Sequence, residues 1–241
     1  MIFAIRALLL IILTIMFGVF GLIYCLFRPT NPSNTLGIAR FYSLGLNILN
    51  IDFKIFNKER LSVDGTAVFI SNHQHNLDVF PMGRIVPKRC VSMGKKQILW
   101  IPFFGLTYWL SGNILINRTN KRKAWATMDG AIRALTKENT SVWIMPEGTR
   151  SKGRGVQRFK KGAFYAAIKA QVPIVPVAVS SYDKHLNLHK WNSGKIRVSV
   201  LEAIDTTGMG EDDMLTLMER CHKLISDEVA RLDTDLLAEK L

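Results

Sequence analysis

The chain begins with a long apolar run. Residues 7–27 contain no charged side chain, and Arg6 and Arg28 flank the run. About 20 such residues suffice for a helix to cross a bilayer. No Ala-x-Ala-like cleavage site follows, which favours a retained membrane helix over a removed signal peptide. A second, amphipathic segment over residues 35–49 has the pattern of a helix that lies in the membrane interface. The pattern is compatible with spanning the bilayer and with dipping into one leaflet.

Beyond residue 50, short apolar runs alternate with segments of helical periodicity. The pattern predicts strands at 51–56, 67–70, 90–93, 114–116, 141–145 and 174–179, and an edge strand at 195–201. It predicts helices at 120–138, 163–170 and 212–237. This alternation is typical of an α/β fold, with a largely parallel sheet flanked by helices. We therefore expect N-terminal membrane-anchor helices over residues 1–49 and an α/β domain over residues 50–241.

Polar side chains follow three of the predicted strands. His73 and Asp78 follow the second, Arg118 the fourth, and Glu147 and Arg150 the fifth. Parallel strands end at one edge of a sheet, so these loops should meet there.

His73 and Asp78 are spaced so that they can pair. A helix that begins near Leu77 would place Asp78 in its first turn, where the carboxylate can hold the proton of one imidazole nitrogen. The other nitrogen would then be a base. The alternative is that Asp78 only caps the helix and His73 is a polar loop residue. For the pair alone, we favour this alternative, because the spacing occurs by chance in many chains.

Four blocks place this pair in a wider pattern. They are His73-x-x-x-x-Asp78, Gly112-Asn113-Ile114-Leu115-Ile116-Asn117-Arg118, Pro146-Glu147-Gly148-Thr149-Arg150 and Val172-Pro173-Ile174-Val175-Pro176-Val177. In this order and spacing they resemble the glycerolipid acyltransferase family, and residues 95–109 are similar to its bacterial members. Leu115 and Asn117 depart from the family's common Phe-Ile-Asp-Arg, whereas Arg118 is kept.

The resemblance implies an enzyme of phospholipid synthesis. Such an enzyme would move a fatty acyl group from acyl-CoA or acyl carrier protein to the sn-2 hydroxyl of lysophosphatidic acid (1-acyl-glycerol-3-phosphate), giving phosphatidic acid. Another lysolipid or glycerol-3-phosphate is the alternative acceptor. The resemblance implies catalysis by His73 and Asp78, and the residues that it implies for acceptor binding are Arg118, Glu147, Gly148, Thr149 and Arg150. The expected location is the bacterial inner membrane, with the catalytic domain facing the cytoplasm.

The residue chemistry is consistent with acyl transfer. A histidine, with an ordinary pKa of roughly 6.5, suits removal of the hydroxyl proton. No Gly-x-Ser-x-Gly motif is present, which favours direct attack by the acceptor over a seryl intermediate. Arg118 and Arg150 can hold a phosphate in a bidentate manner. The alternative for Glu147 and Arg150 is a local ion pair that closes the loop, and without the family resemblance we would favour it. No cofactor and no metal are predicted, because the sequence lacks a Gly-x-x-x-x-Gly-Lys-Ser/Thr loop and a residue set that completes a metal site with His73 and His75.

Charge and cysteine content narrow the partners. The formal net charge is +13, which indicates an anionic partner. A basic cluster follows Arg150 and consists of Lys152, Arg154, Arg158, Lys160 and Lys161. We interpret it as a surface for anionic membrane lipids or for acyl carrier protein. A non-catalytic basic module is the remote alternative, but no nucleic-acid module is recognisable and no nucleic-acid partner is predicted. Three widely separated cysteines indicate a reducing, cytosolic environment.

Overall fold

A seven-stranded mixed sheet forms the centre of the protein. The computed structural model describes residues 1–117 and 121–239. The strands are β1 (Ile51–Phe56), β2 (Val68–Ser71), β3 (Cys90–Lys95), β4 (Ile114–Ile116), β5 (Ser141–Ile144), β6 (Ile174–Val179) and β7 (Gly194–Val200). Their order is β1-β7-β6-β2-β5-β3-β4, and every neighbouring pair is parallel except β6 and β7. The predicted α/β fold with a largely parallel sheet is confirmed.

The position of β7 differs from the prediction. Its alternating pattern indicated an edge strand, but β7 lies between β1 and β6, and β1 occupies the edge. Both faces of β7 are covered in its second half, where residues 196–200 are all buried. A polar residue in this strand therefore needs partners inside the protein, and the Arg197 guanidinium finds them in Asp52 and Glu239.

Helices cover both faces of the sheet. They are α1 (Ile2–Leu26), α2 (Ser33–Tyr42), α3 (Gly45–Ile48), α4 (Val79–Ile85), α5 (Gly105–Leu110), α6 (Lys121–Lys137), α7 (Gly162–Ala170), α8 (Tyr182–His185) and α9 (Met214–Ala238). Apolar side chains of α6, α7 and α9 fill the core on one face. Those of α2, α3 and α4 fill the core on the other face, and α1 packs outside them.

The apolar run at the start of the chain forms α1, which lies along the protein. Near its N-terminus, the buried Arg6 guanidinium donates hydrogen bonds to the carbonyl oxygens of Leu188, Lys190 and Trp191 and to the Ser193 hydroxyl. Past its C-terminus, the Thr30 N–H donates to the Leu110 carbonyl, at 2.8 Å. Both ends of α1 therefore contact the same body of the protein.

One side of α1 remains uncovered. By length and composition, α1 is the one helix among the described residues that could cross a membrane. Its exposed large side chains include Phe3, Leu9, Ile12, Met16 and Phe20. Further exposed apolar side chains lie in and before the neighbouring α5, at Trp100, Phe103, Leu106 and Trp109. Together these nine residues are called the apolar surface below.

Candidate active site

The loop after β2 brings His73 and Asp78 together. His73 lies two residues after the end of the buried strand β2, and Asp78 ends a 3₁₀ turn that leads into α4. His73 Nδ1 lies 2.5 Å from Asp78 Oδ2. The same carboxylate oxygen accepts hydrogen bonds from the backbone N–H groups of Gln74 and His75, at 2.9 and 3.2 Å. Asp78 thus both caps the turn and contacts the imidazole.

This geometry fixes the roles of the two imidazole nitrogens. An ionised carboxylate only accepts hydrogen bonds, so Nδ1 carries the proton and Nε2 keeps its lone pair. Nε2 has no hydrogen-bond partner among the described residues, and the His73 side chain is 22% exposed while that of Asp78 is 7% exposed. The arrangement is a partly exposed imidazole whose Nδ1 contacts a buried carboxylate.

Glu147 is buried behind His73. Its side chain accepts hydrogen bonds from the backbone N–H of His73, at 2.7 Å, and of Gln157, at 3.2 Å. Burial raises the pKa of Glu147 to about 7, although both hydrogen bonds oppose the rise. The family resemblance implies acceptor binding by Glu147, whereas in the structure its carboxylate contacts the backbone N–H groups of His73 and Gln157.

A short backbone pairing places Arg150 beside the histidine. The Ser151 N–H donates to the His73 carbonyl, at 2.8 Å, and the Lys152 N–H donates to the Gln74 carbonyl, at 3.2 Å. Arg150 therefore precedes a residue that is bonded to His73. Its side chain is exposed and forms no hydrogen bond or ion pair with a described residue.

The other predicted acceptor residues differ in what they contact. Gly148 is buried at φ +69°, in the left-handed region that favours glycine, so a side chain there would strain the turn. Thr149 is exposed between Gly148 and Arg150. Arg118 lies outside the described residues, and its predicted role stays a prediction.

Two amides on either side of His73 were not singled out from the sequence. Asn72 forms two 2.9 Å hydrogen bonds with the backbone of Val179, one to its N–H and one to its carbonyl. Gln74 donates to the carbonyls of Val179 and Ser180 and accepts from the Tyr182 N–H, at 3.0 Å. Both side chains are buried. The signal in the sequence is that Asn72 and Gln74 alternate with His73 at the end of a buried strand. In an extended segment alternate side chains point to the same face, so the two amides can both point inward.

Neither a metal cluster nor a large cleft accompanies this loop in the described part of the chain. No group of three His, Cys, Asp or Glu side chains there could hold a metal ion. A cleft of about 360 Å³ is lined by residues that include Val91, Ile114 and Thr140. These residues lie near the starts of β3, β4 and β5, at the edge of the sheet opposite to His73. We place the chemistry at His73 because the paired groups lie there.

Comparison with known proteins identifies the class to which this fold and loop belong. The family model described as Acyltransferase matches residues 52–180, which is more than half of the chain and includes all seven predicted site residues. The chain therefore belongs to the acyltransferase family. The resemblance seen in the sequence is confirmed, and the protein is an enzyme of this class.

Individual relatives are similar over nearly the whole chain. A 1-acyl-sn-glycerol-3-phosphate acyltransferase from Haemophilus influenzae is 40% identical over 96% of this chain and 96% of its own length. One from Escherichia coli is 38% identical over 98% of this chain and 96% of its own. The crystal structure of the 1-acyl-sn-glycerophosphate (LPA) acyltransferase PlsC from Thermotoga maritima superposes with a TM-score of 0.76 over 96% of this chain and 94% of its own. At 20% identity, that likeness concerns the fold alone.

Proposed function

We propose that this protein acylates lysophosphatidic acid to phosphatidic acid, with an acyl thioester as donor and His73 as general base. The observation that carries the proposal is the 2.5 Å contact between His73 Nδ1 and Asp78 Oδ2, which leaves Nε2 available as a base in a partly exposed loop. The names of the bacterial relatives support lysophosphatidic acid as the acceptor.

The proposed reaction needs one base and no covalent enzyme intermediate. The sn-2 hydroxyl oxygen attacks the thioester carbonyl carbon while His73 Nε2 takes the hydroxyl proton. The tetrahedral intermediate then expels the thiolate, and the imidazolium returns its proton to the thiolate. The Asp78 carboxylate stabilises the imidazolium and keeps the ring oriented. General base catalysis of this kind contributes about 10²–10⁴-fold.

The acceptor phosphate is assigned to Arg150, together with Arg118. Arg150 is exposed, and the backbone of the next residue is bonded to the His73 carbonyl, so Arg150 stands next to the histidine loop and is available for an anion. A guanidinium matches phosphate oxygens in a bidentate manner, which an ammonium cannot do. We assign Glu147 to support of the His73 loop, because backbone N–H groups already occupy its carboxylate. Gly148 and Thr149 form the turn that presents Arg150.

Steady-state kinetics with an acceptor panel tests this assignment. The purified protein should release thiol from acyl-CoA with lysophosphatidic acid and be slow with monoacylglycerol, which lacks the phosphate. Charge-assisted hydrogen bonds are worth roughly 1.5–3 kcal/mol. Arg150→Lys should therefore raise the KM for lysophosphatidic acid by about one to two orders of magnitude. Arg158→Lys, in the same basic cluster, is the matched control and should change it less than threefold.

The panel also separates the alternatives. A preference for glycerol-3-phosphate or for another lysolipid would replace the proposed acceptor. Equal losses with Arg150→Lys toward phosphorylated and phosphate-free acceptors would make Arg150 a structural residue. The exposed basic cluster is suited to either anionic donor, and acyl-CoA compared with acyl carrier protein in the same assay identifies the preferred one.

We further propose that the protein sits on one leaflet, at the cytoplasmic face of the inner membrane, with α1 lying in the interface. Its two ends are held on one body by Arg6 and by Thr30, so a helix that crossed the bilayer would have to break one set of contacts. The apolar surface would then face acyl chains. Protease treatment of spheroplasts should leave an N-terminal tag intact, whereas inverted vesicles should lose it. Cleavage in spheroplasts would contradict this placement.

A further inference from the structure

A buried carboxylate on the C-terminal helix has no part in the mechanism described so far. Asp233 of α9 is 4% exposed. Its oxygens accept hydrogen bonds from the Ser181 N–H at 2.8 Å, the Ser181 hydroxyl at 2.6 Å and Lys184 Nζ at 3.0 Å. His185 Nε2 lies 3.2 Å from the same carboxylate. Burial raises the pKa of Asp233, but these hydrogen bonds outweigh it and the pKa is lower than the ordinary value.

The segment that Asp233 contacts, residues 180–182, also contacts the loop that contains His73. Ser181 and Tyr182 begin the α8 turn directly after β6. Gln74 bonds to the Ser180 carbonyl at 2.9 Å and to the Tyr182 N–H at 3.0 Å. Asp233 therefore contacts Ser181, and Gln74 contacts the residues before and after it, Ser180 and Tyr182.

Gln74 is joined to the catalytic pair by its own backbone. Its N–H donates to Asp78 Oδ2, the oxygen that contacts His73. Tyr182 is buried, and burial together with the neighbouring Asp78 carboxylate raises the pKa of Tyr182 well above its ordinary range. A displacement of residues 180–182 is thus transmitted to the orientation of the imidazole.

We propose that Asp233 is a positioning residue for acyl transfer, which fixes the turn at residues 181–185 and, through Gln74, the place of His73. This inference rests on the proposed role of His73. Displacement of a reacting group by about 1 Å costs on the order of 100-fold in rate. Asp233 would therefore influence kcat without touching either substrate.

The test compares two carboxylates, one near the end of α9 and one on the residue that follows it, Glu239. Asp233→Asn keeps the shape of the side chain but places an amide where two donors now bind. Glu239→Gln removes the carboxylate that contacts the Lys195 and Arg197 side chains, which lie on β7. The Arg197 backbone is bonded to Ser180, through its N–H to the Ser180 hydroxyl and through its carbonyl to the Ser180 N–H, and the substitution leaves this backbone unchanged. We expect Asp233→Asn to lower kcat by about ten- to a hundredfold while the KM for both substrates changes less than threefold. Glu239→Gln should leave kcat within twofold.

A double-substitution cycle separates positioning from general damage. In a Gln74→Met background the connection is already broken, so Asp233→Asn should lower kcat by less than twofold more. If the fold-losses in kcat of Gln74→Met and Asp233→Asn multiplied in the double variant, the proposal would be overturned. A normal kcat in Asp233→Asn would overturn it too. If Asp233→Asn does not fold, Ser181→Ala enters the same cycle and must show the same non-additivity. A fully active His73→Ala would instead remove the proposed function on which the inference rests.

Discussion

The first and last helices of the protein have the same length and opposite surroundings. The two helices α1 and α9 each contain 25 residues. Leucines and isoleucines of α9, such as Ile225 and Leu232, are fully buried, and charged residues cover its outer side. In α1 most large apolar side chains are exposed, and Arg6 is its one charged residue. The length of a helix therefore does not predict whether its apolar side chains are buried. The distribution of charged residues around the helix does predict it.

The two helices are nevertheless attached in a similar way. Each has one buried charged residue near one end, Arg6 in α1 and Asp233 in α9. Arg6 bonds to residues 188–193 and Asp233 to residues 181–185, so both are attached to the connection between β6 and β7. A buried charge is costly unless it is fully hydrogen-bonded, and each of these charges finds its partners at only one place. Such a contact fixes where a helix lies more strictly than apolar packing does.

The largest expected difference between the helices is in stability. Leu232→Ala removes a fully buried side chain of α9 and should lower the free energy of unfolding by about 2–5 kcal/mol. Leu9→Ala in α1, where the leucine is 44% exposed, should lower it by less than about 0.5 kcal/mol. Denaturant unfolding in nonionic detergent measures both. Equal losses would show that α1 is packed as tightly as α9.

Membrane affinity should show the opposite order. Ile12→Lys with Phe20→Lys places two charges on the apolar surface and removes roughly 3 kcal/mol of apolar transfer free energy. We expect at least a tenfold fall in binding to anionic vesicles in flotation. Leu224→Lys, at an exposed leucine of α9, is the control and should leave binding unchanged. If only Leu224→Lys lost vesicle binding, the membrane-binding surface would lie on α9 and the assignment to α1 would be wrong.

Loss of the Arg6 contact should have a smaller, local effect. Arg6→Gln leaves four acceptors in the 188–193 segment without their donor. Hydrogen exchange of the Ser193 and Asn187 N–H groups should accelerate about tenfold, corresponding to roughly 1.4 kcal/mol. Arg28→Gln, at the exposed arginine beyond the other end of α1, should leave their exchange unchanged. Identical exchange in both variants would mean that packing alone holds the helix.

Acid should affect one of the two attachments and spare the other. The pKa of Asp233 is below its ordinary value of 3.8, so its contribution to stability is present above that pH and is lost as the pH falls further. The stability difference between the wild type and Asp233→Asn should therefore shrink below about pH 4. The difference between the wild type and Arg6→Gln should persist, because arginine does not titrate there. If both stability differences decreased in parallel as the pH falls, the cause would be general acid unfolding and not the titration of Asp233.

The sequence predicted most of this arrangement through local patterns. Residues 51–56 and 174–179 became β1 and β6 because alternation or continuous burial is a local property of a strand. Which strands pair with one another depends on distant parts of the chain, so the prediction that β7 lies at the edge of the sheet was wrong. The hydrophobic pattern also could not predict where α1 is attached, because the acceptors of Arg6 lie more than 180 residues away in the chain.

The candidate site shows the same division. His73, Asp78 and Arg150 were singled out because they lie in motifs that resemble those of a known family, since their chemistry alone also fits a helix cap and a polar loop. Glu147 lies in such a motif too, but its partner, a backbone N–H, is invisible in the sequence. Asn72, Gln74 and Asp233 are ordinary residue types, and only their contacts in the folded chain distinguish them.

The central claim is that His73 is the base, and the chain supplies a matched control two residues away. His75 is exposed, and its Nδ1 accepts a hydrogen bond from the nearby Leu77 N–H. Its bond to Asp78 Oδ2 is made by the backbone N–H, which His75→Ala keeps. The measurement is kcat for acyl transfer from acyl-CoA to lysophosphatidic acid in His73→Ala and His75→Ala, each checked for unchanged membrane binding. The account predicts a loss of at least about 10²–10⁴-fold for His73→Ala and less than threefold for His75→Ala. Near-normal turnover in His73→Ala, or equal losses in the two variants, would contradict it.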